Sequence, residues 1–246
     1  MCNTFSNKFV ADENNLALLN ELMWGPNGIR QSEELASHLE ITGNTKILDL
    51  GCGTGLSALY LVKAHDANVF ATDLYADPTE NHERFKTIGI ADKIIPMTLD
   101  VTQSMPFAKG YFDVAFSVGA YNMFGIHEDS LTNIATYVKK GGYIAVSFPG
   151  LKADFGENVP LEMQPFWNVP EVAKYVRGID WWRELWSKAK GVEIINISEQ
   201  TCHNIAWEEY LNSRDPNNEE HKWDLDMMKA EGGKYYNTIQ LIAKIV

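Results

Sequence analysis

The segment between positions 47 and 55 reads Ile47-Leu48-Asp49-Leu50-Gly51-Cys52-Gly53-Thr54-Gly55. Its first half has the apolar character of a short buried strand, and the residues after Gly55 have the pattern of a helix. Glycines allow the backbone to turn sharply between such elements, and they also allow a ligand to approach the backbone closely. The same pattern occurs in a tight corner without a ligand, so the surrounding residues must decide between the two interpretations.

Strands and helices alternate along the chain on both sides of this glycine turn. We predict strands at residues 46–50, 68–74, 93–100, 112–120, 143–148, 192–198 and 237–246. We predict helices at residues 14–23, from an N-cap at Ser32, at 56–64, from an N-cap at Asp77, at 128–140, and around 181–186. Such alternation implies right-handed crossovers, so the predicted fold class is α/β with a doubly wound, mostly parallel sheet.

Two stretches break the alternation, at about residues 150–180 and 201–234. Long insertions in a compact domain are usually lids or binding loops. Both follow predicted parallel strands, so both should emerge at the edge of the sheet that binds ligands. We therefore expect residues 1–246 to form a single domain, with N-terminal helices in residues 1–45 and two helical cap insertions. The aromatic content of the insertions would equally suit a dimer interface, which leaves a homodimer open.

Three carboxylates lie at the ends of consecutive predicted strands. Asp73 follows the second strand, where an acid can accept hydrogen bonds from the hydroxyls of an adenosine ribose. Asp100 closes the third strand. Asp49 lies inside the end of the first strand, where an unpaired carboxylate is costly to bury unless a cationic ligand compensates it. One isolated acid is more simply a helix cap or a solvated turn residue, but three at one sheet edge point to a bound nucleoside that carries positive charge.

At these residues the chain resembles the class I S-adenosylmethionine (SAM)-dependent methyltransferases, in the small-molecule branch that includes ubiquinone and menaquinone biosynthesis enzymes. The resemblance extends from about Trp24 to Phe148, and residues 48–55 match the family's first motif at every position. It implies a Rossmann-like, seven-stranded sheet whose last strand is antiparallel, with the ribose held by Asp73. The SAM-binding residues it implies are Asp49, Gly51, Cys52, Gly53, Thr54, Gly55, Asp73, Leu74, Asp100, Val101 and Ser117.

The residues after the fourth strand are candidates for the acceptor side of the site. Methyl transfer is a direct displacement in which alignment supplies most of the rate, so no catalytic residue is obligatory. His127 is a candidate general base, although it equally suits a cap for the helix that follows it. Tyr121 is placed to face the methyl group or to orient the acceptor; the alternative is that its ring simply packs.

Tryptophans and acidic pairs in the second half of the chain have competing interpretations. Trp167, in a proline-flanked loop, and Trp24, before the glycine turn, are candidates for an acceptor pocket. Trp182 and Trp186 are spaced four residues apart and are interpreted as one buried helix face. His203 follows the sixth strand and is interpreted as a surface residue. The acidic pairs 208–209 and 219–220 are interpreted as solvated helix surface.

The composition excludes several classes of partner. The chain has 21 Lys and Arg against 33 Asp and Glu, and a net charge of −12 disfavours binding to nucleic acid. The proline-rich run that DNA and protein amide methylases carry after the fourth strand is missing. Three cysteines without a CxxC pair suit a reducing cytosol and predict no metal site. No apolar run reaches the roughly 18 residues that span a membrane, and no signal peptide is evident, so we expect a soluble, cytoplasmic protein without a membrane partner.

Two other functions remain open from the sequence. A nicotinamide-dependent oxidoreductase would also use an acid after the second strand, but its fingerprint is GxGxxG, whereas this turn is GxGxG. A non-catalytic SAM-binding protein would share the cofactor residues without transferring the methyl group. The sequence favours an enzyme that transfers a methyl group from SAM, with S-adenosylhomocysteine as product, to a small-molecule acceptor.

Overall fold

A computed structural model of the chain describes residues 4–167 and 170–246, without the side chains of Pro170, Glu171 and Glu220. Its centre is a seven-stranded sheet. The strands are β1 (Lys46–Leu50), β2 (Asn68–Asp73), β3 (Ile94–Thr98), β4 (Phe112–Val118), β5 (Val138–Leu151), β6 (Val192–Glu199) and β7 (Tyr236–Ile245). Their order in the sheet is β3-β2-β1-β4-β5-β7-β6, and β7 pairs antiparallel with both β5 and β6. The predicted α/β fold with an antiparallel last strand is confirmed.

Helices cover both faces of this sheet. They are α1 (Phe5–Ala11), α2 (Glu13–Leu22), α3 (Gly28–Ala36), α4 (Leu56–His65), α5 (Pro78–Ile88), α6 (Tyr121–Phe124), α7 (Ser130–Ala135), α8 (Gln164–Trp167), α9 (Pro170–Tyr175), α10 (Ile179–Trp186), α11 (His203–Asn212) and α12 (Glu219–Glu231). A short 3-10 helix precedes α8 at Leu161–Met163. The helices α4 and α5, which connect β1, β2 and β3, pack on one face, and α7 and α10, which follow β4 and β5, pack on the other.

Successive side chains of each strand enter two separate cores, because neighbours along a strand point to opposite faces. On β1, Ile47 packs with helices α2 to α5, whereas Leu48 packs with α7 and α10. Trp182 and Trp186 are fully buried in the second core, which confirms that they form one buried helix face. The sheet is therefore covered on both sides, and only its edges and strand ends are available for ligands.

The strand order reverses between β1 and β4, and β1 pairs in parallel with β2 on one side and with β4 on the other. Open α/β sheets bind ligands in the crevice at the carboxyl ends of the strands on either side of such a reversal. The glycine turn begins where β1 ends, so it lies at this crevice. The fold thus places the turn at the position where a ligand is expected.

The N-terminal region differs from the prediction in two ways. It has three helices instead of two, and the additional helix α1 is capped by the side chain of Thr4. Helix α3 begins at Gly28 and not after Ser32, because the side chain of Asn27 accepts hydrogen bonds from the N–H groups of Ile29 and Arg30. Ser32 therefore lies inside the helix and is buried, and the proposed cap at this residue was wrong.

The region before β5 also differs from the prediction. The helix predicted to reach residue 140 ends at Ala135, and β5 already begins at Val138. Val138 is buried and pairs with Phe112, and the register then shifts before Tyr143 pairs with Val114. The β-branched, buried Val138 favours the strand, while the glycines at 141 and 142 accommodate the irregularity. By contrast, the predicted cap at Asp77 is confirmed, since its side chain accepts from Thr79 and Glu80.

One buried ion pair connects the N-terminal helices to α11. Arg30 donates two hydrogen bonds to the carboxylate of Glu209, from Nε at 2.7 Å and from Nη2 at 2.6 Å. Asn27 donates to the same carboxylate at 2.7 Å, and its N–H donates to the carbonyl of Ala206 at 3.0 Å. The interpretation of Glu209 as solvated was therefore wrong. Bidentate pairing of this kind fixes α11 in orientation as well as in position.

Two further features bear on the sequence expectations. Within the described ranges, no helix is both long and apolar enough to cross a membrane. The cysteines in those ranges, Cys52 and Cys202, are free thiols, and Cys2 lies outside the described residues.

We expect Gly55→Ala to destabilise the protein by at least about 2 kcal/mol. Gly55 has a φ of +91°, and an added Cβ would lie 2.4 Å from the ring of the buried Phe85. Gly191→Ala is the matched control, because Gly191 also has a positive φ of +74° but has open space around the Cβ position. It should cost only the backbone strain of about 1 kcal/mol. Urea unfolding of both variants measures the difference, and equal losses would contradict the packing explanation.

Candidate functional site

The glycine turn is tied to the end of β2 by backbone and side-chain hydrogen bonds. The N–H groups of Gly51 and Cys52 donate to the carbonyl of Thr72 at 2.8 and 3.0 Å. The N–H of Gly53 donates to Oδ2 of Asp73 at 2.8 Å. The carboxylate that was predicted to hold a ribose therefore also holds the turn in place.

The three glycines of the turn are required for different reasons. All have positive φ, which favours glycine, at +70°, +52° and +91° for Gly51, Gly53 and Gly55. A Cβ on Gly51 would lie 2.4 Å from the Cβ of Ala120, so this position and Gly55 are crowded by the protein itself. A Cβ on Gly53 would meet only the ring of Trp24, at 3.5 Å. The prediction that the turn leaves room for a ligand therefore applies to Gly53, while the other two glycines are explained by packing.

Asp49 is a fully buried carboxylate beneath the turn. Its Oδ2 accepts a hydrogen bond from the hydroxyl of Ser57 at 2.6 Å, and its Oδ1 has no hydrogen-bond partner among the described residues. Burial raises the pKa of Asp49 to about 7; the Ser57 hydroxyl opposes this shift, and the negative charge of Asp73 adds to it. A buried carboxylate with an unpaired oxygen is costly, and a positively charged group nearby would remove that cost.

Asp73 and Asp100 lie at the ends of the next two strands. Oδ1 of Asp73 accepts from the N–H groups of Tyr75 and Ala76 at 2.8 and 2.9 Å, in addition to the contact with Gly53. Asp100 follows β3, and its Oδ1 accepts from the N–H and the hydroxyl of Thr102. These bonds lower the pKa of Asp100, which stays ionised. The structure thus brings Asp49 and Asp73 to one turn and places Asp100 at the adjacent strand end.

Two residues of helix α5 that the sequence did not single out also support the turn. Nδ2 of Asn81 donates to the carbonyl of Gly53 at 2.9 Å. The guanidinium of Arg84 donates to the carbonyl of Thr54 at 3.4 Å and to the side-chain oxygen of Asn81. The sequence contains no signal for these contacts, since they depend on how α5 packs across the turn.

The remaining residues that were predicted to bind the cofactor divide into two groups. The hydroxyls of Thr54 and Ser117 donate to the carbonyls of Leu22 and Leu50, at 2.6 and 2.7 Å, so they support the turn from the protein side. Cys52 is buried, and burial raises the pKa of its thiol, which makes it an unreactive small apolar group. Leu74 is exposed beside Asp73, and Val101 is half-buried after Asp100, so both are accessible to a ligand.

The predicted acceptor-side residues occupy very different environments. The large indole of Trp24 is 68% exposed and lies over Gly53. Tyr121 is fully buried among Phe148, Trp182 and Trp186, and its hydroxyl accepts a hydrogen bond from Nε1 of Trp186 at 3.3 Å. Burial raises the pKa of Tyr121, so the structure favours a packing role over a catalytic one.

The two histidines considered from the sequence are also placed differently than expected. His127 is exposed in the loop before α7, and the residue at the N-cap of that helix is Asp129. His203, which was expected at the surface, is half-buried at the start of α11, and its Nδ1 lies 2.9 Å from the hydroxyl of Thr238. Burial lowers the pKa of His203, so its imidazole is neutral near pH 7.

The two insertions pack against each other at the carboxyl end of β5. Phe166 of α8 meets Trp223 of α12 edge to face, with ring centroids 5.2 Å apart. The hydroxyl of Tyr235 donates to Glu162 at 2.8 Å, and the side chain of Lys152 donates to the carbonyl of Gly233 at 2.7 Å. Between them lies an apolar cavity of about 200 Å³, which we call the cap cavity.

The cap cavity is bounded by the strand ends and by both insertions. Pro149 of β5 and Tyr236 of β7 form its base, and Trp207 of α11 lies beside them. Trp167 does not line it but packs behind Tyr236, with ring centroids 6.5 Å apart. The indole proposed for an acceptor pocket therefore supports such a pocket from outside.

A larger cleft, of about 680 Å³, lies away from the insertions and has charged residues in its lining. Its lining includes His65, Asp66 and Lys93, which immediately precede β2 and β3. It therefore opens at the amino end of the sheet, on the side opposite the glycine turn. Ligands of open α/β sheets bind at the carboxyl end, so we do not assign the functional site to this cleft.

Residues 48–146 match a family model described as a methyltransferase domain. The matched segment is similar to that family and covers less than half of the chain. The match contains β1, the glycine turn, Asp73 and Asp100, which are the residues that carried the resemblance in the sequence. The resemblance to the class I methyltransferases is confirmed for this domain.

Curated relatives of the methyltransferase domain include enzymes of bacteria and fungi. Methyltransferase GfsG of Streptomyces halstedii is 24% identical over 179 residues, which are 71% of this chain and 63% of that protein. O-methyltransferase rstn1 of Aspergillus nomiae is 27% identical over 122 residues, which are 48% of this chain and 52% of that protein. The chain thus spans between about half and two thirds of the length of these relatives.

Solved structures with the same fold include proteins with different activities. Geranyl diphosphate C-methyltransferase from Streptomyces coelicolor A3(2), solved with Mg²⁺, geranyl diphosphate and S-adenosyl-L-homocysteine, aligns with a TM-score of 0.70 at 14% identity. The alignment covers 95% of this chain and 84% of that chain. The 4+2 cyclase SpnF aligns with a TM-score of 0.70 at 15% identity, over 89% of this chain and 81% of that chain. At these low identities, the similarities show that the chain shares the fold of these proteins.

We expect the stability of the protein to depend on pH through Asp49. Because its pKa is raised to about 7 from an ordinary 3.8, the folded chain holds a proton that the unfolded chain has already released between about pH 4 and pH 7. Stability is therefore lost as the pH rises through this window. Asp49→Asn removes the ionisation, so its stability advantage over wild type should be larger at about pH 8 than at about pH 5.5, by about 2 kcal/mol.

Urea unfolding of the ligand-free protein at both pH values measures this difference. Asp77→Asn is the control, because Asp77 is an exposed helix cap whose pKa is lowered instead of raised. Its effect should not grow between the two pH values. A constant effect of Asp49→Asn would show that Asp49 is not a strained, protonatable carboxylate.

Proposed function

We propose that this protein transfers a methyl group from SAM to a small-molecule acceptor. The observation that carries the proposal is the buried carboxylate of Asp49, with one unpaired oxygen, beneath a glycine turn at the strand-order reversal. SAM, when bound, supplies a methyl group on a sulfonium; the acceptor's electron pair bonds to the methyl carbon as the carbon–sulfur bond breaks and its electrons pass to sulfur. The protein then needs to bind, align and exclude water.

The residues at the turn fit the parts of SAM. Gly53 leaves its surface open to a ligand, and Asp49 offers negative charge to the cationic methionine part. A carboxylate has about four acceptor positions, and three hydrogen bonds to Asp73 are made within the protein. Asp73 therefore has about one acceptor position left for the ribose. This is fewer than the sequence led us to expect, since it predicted hydrogen bonds from both ribose hydroxyls. Leu74 and Val101 provide apolar surface for the adenine beside Asp100.

For a hydroxyl acceptor the proposal includes a proton acceptor. His203 is better placed for this role than His127, because it is half-buried and its Nδ1 is fixed by Thr238. It lies one helical turn before Trp207, which lines the cap cavity. We treat the N-terminal helices, the sheet and the two insertions as one methyltransferase domain, with the insertions as its cap.

Calorimetric titration tests the cofactor and separates the alternatives. We expect wild type to bind SAM, and Asp73→Asn to weaken binding at least about tenfold, because one charge-assisted hydrogen bond and the contact to Gly53 are impaired. Asp66→Asn is the control: it changes an exposed aspartate at the amino end of the sheet, whose φ of +57° asparagine tolerates. Binding of NAD without SAM would instead support the oxidoreductase.

Product formation separates an enzyme from a SAM-binding protein without activity. Methyl-labelled SAM is incubated with the protein and a small-molecule metabolite extract, and labelled products are counted. Label in a small molecule that depends on the protein supports methyl transfer. Tight SAM binding with no labelled product from any extract would favour the non-catalytic alternative.

Hydrogen exchange tests whether the insertions form a cap over the bound cofactor. We expect S-adenosylhomocysteine to slow exchange in residues 161–167 and 219–231, which contain helices of the two insertions. Residues 192–199, in the edge strand β6, serve as the internal control and should not change. Unchanged exchange in both insertions, together with a dimer that dissociates on dilution, would assign them to a subunit interface instead.

A further inference from the structure

We propose that the cap cavity is the acceptor site, and that it takes an uncharged, largely apolar molecule whose hydroxyl or carbonyl group is recognised by Tyr236. This inference rests on the proposed function, because it names the substrate class of the same enzyme. It is carried by the position of the cavity, the chemistry of its lining, its size, and the environment of one hydroxyl.

The cavity is connected to the glycine turn through α11 and the N-terminal turn. Its base includes Pro149, near the carboxyl end of β5, which is the second strand from β1 in the sheet. Its wall includes Trp207, and the preceding residue, Ala206, accepts the hydrogen bond from Asn27. Asn27 ends the same N-terminal turn that places Trp24 over Gly53. A molecule in the cavity is therefore on the side of the sheet edge where the methyl group would be presented.

The lining selects against charged acceptors. It is formed by the rings of Phe166, Trp207, Trp223 and Tyr236 with apolar side chains such as Val176 and Met227. It also includes the uncharged amide residue Asn237, and no charged residue is among the described residues that line it. An ammonium, carboxylate or phosphate placed there would lose its hydration without gaining an ionic partner. Apolar surface, in contrast, is stabilised when it leaves water for such a cavity. The cavity therefore favours a neutral molecule over amino acids, amines and phosphate esters.

The volume limits the size of the bound part of the acceptor. An apolar cavity of about 150 Å³ is known to accommodate benzene. The cap cavity, at about 200 Å³, suits one ring with one or two small substituents, or a short branched chain. A longer acceptor would extend out of the cavity.

Two neighbouring residues of the lining, Tyr236 and Asn237, are polar, and the buried side-chain Nδ2 and Oδ1 of Asn237 have no hydrogen-bond partner among the described residues. We assign the recognition of the acceptor's hydroxyl or carbonyl to Tyr236, with the amide of Asn237 beside it. Tyr236 is buried, and burial with the nearby charge of Glu231 raises its pKa, so its hydroxyl is neutral. Among the described residues the hydroxyl's hydrogen bond is to the sulfur of Met227 at 3.6 Å, and a thioether is a weak acceptor. Both Tyr236 and Met227 line the cavity. A ligand hydroxyl or carbonyl would give the phenol a stronger partner than the one it has.

The test compares two probes that differ by one hydroxyl, p-cresol and toluene, by ligand-observed NMR titration of the full chain with S-adenosylhomocysteine. Wild type should bind p-cresol more tightly than toluene. Tyr236→Phe should weaken p-cresol about tenfold, equivalent to about 1.4 kcal/mol, and leave toluene nearly unchanged. Tyr235→Phe is the matched control, because the neighbouring Tyr235 bonds to Glu162 and does not line the cavity; it should change neither probe.

The location and the charge preference are tested with further variants and probes. Val176→Phe fills the cavity and should weaken both probes, whereas Leu161→Phe, at an exposed position of the same insertion, should weaken neither. The size-matched anion 4-methylbenzoate and cation 4-methylbenzylamine should bind more weakly than p-cresol. Tighter binding of either charged probe, no binding of p-cresol, or equal losses of p-cresol and toluene in Tyr236→Phe would overturn the proposal.

These outcomes are independent of the proposed function. SAM titration of the same variants reports on the cofactor site, and all of them should bind SAM as wild type does because their substitutions lie in or next to the insertions and not at the glycine turn. Failure of wild type to bind SAM would refute methyl transfer while the probe titrations still report on the cavity. Normal SAM binding with failure of the probe titrations would refute only the acceptor class.

Discussion

The burial of Asp49 is the constraint on which the site depends. A carboxylate under the strand end is excluded from water and has one oxygen without a partner, so the ligand-free fold carries an unfavourable interaction at its centre. The glycine turn above it is closely packed, because Ala120 and Phe85 leave no room for a Cβ at Gly51 and Gly55. The unfavourable burial of the Asp49 carboxylate thus lies where a positively charged ligand would offset it. Buried ionisable groups with shifted pKa values are common at binding sites.

The turn is also held from the side. Asp73 accepts the N–H of Gly53, and Asn81 donates to the carbonyl of the same residue, so both polar groups of that peptide region are fixed. A preorganised backbone of this kind loses little entropy when a ligand binds. The cofactor side of the site is therefore rigid before binding, and any movement has to come from the cap.

Several polar contacts connect the cap to this rigid part, including those of Glu34 with Thr201 and Cys202 and of Arg214 with the carbonyl of Asn20. Arg30 and Asn27 hold Glu209 and the backbone of α11, and α11 in turn carries His203 and Trp207 toward the strands β5 and β7. The same segment of chain leads from Asn27 back to Trp24, above Gly53. The N-terminal turn thus contacts both the glycine turn and the helix that lines the cap cavity.

Much of the fold followed from the sequence, because it depends on local patterns. The order of strands and helices, the cap at Asp77, and the three acids at strand ends were all evident from periodicity, turn chemistry and spacing. The antiparallel last strand and the cofactor residues came from the resemblance of residues 48–55 to a family motif. The start of α3 and the start of β5 were misplaced, since Asn27 and Val138 are decided by a specific cap and by pairing with a distant strand. What only the tertiary structure decided are contacts between segments far apart in the chain: the unpaired oxygen of Asp49, the ion pair of Arg30 with Glu209, and the cavity formed where two insertions meet at Tyr236. Local sequence determines which elements form, but whether a polar group is buried, paired or exposed depends on which distant side chains pack around it.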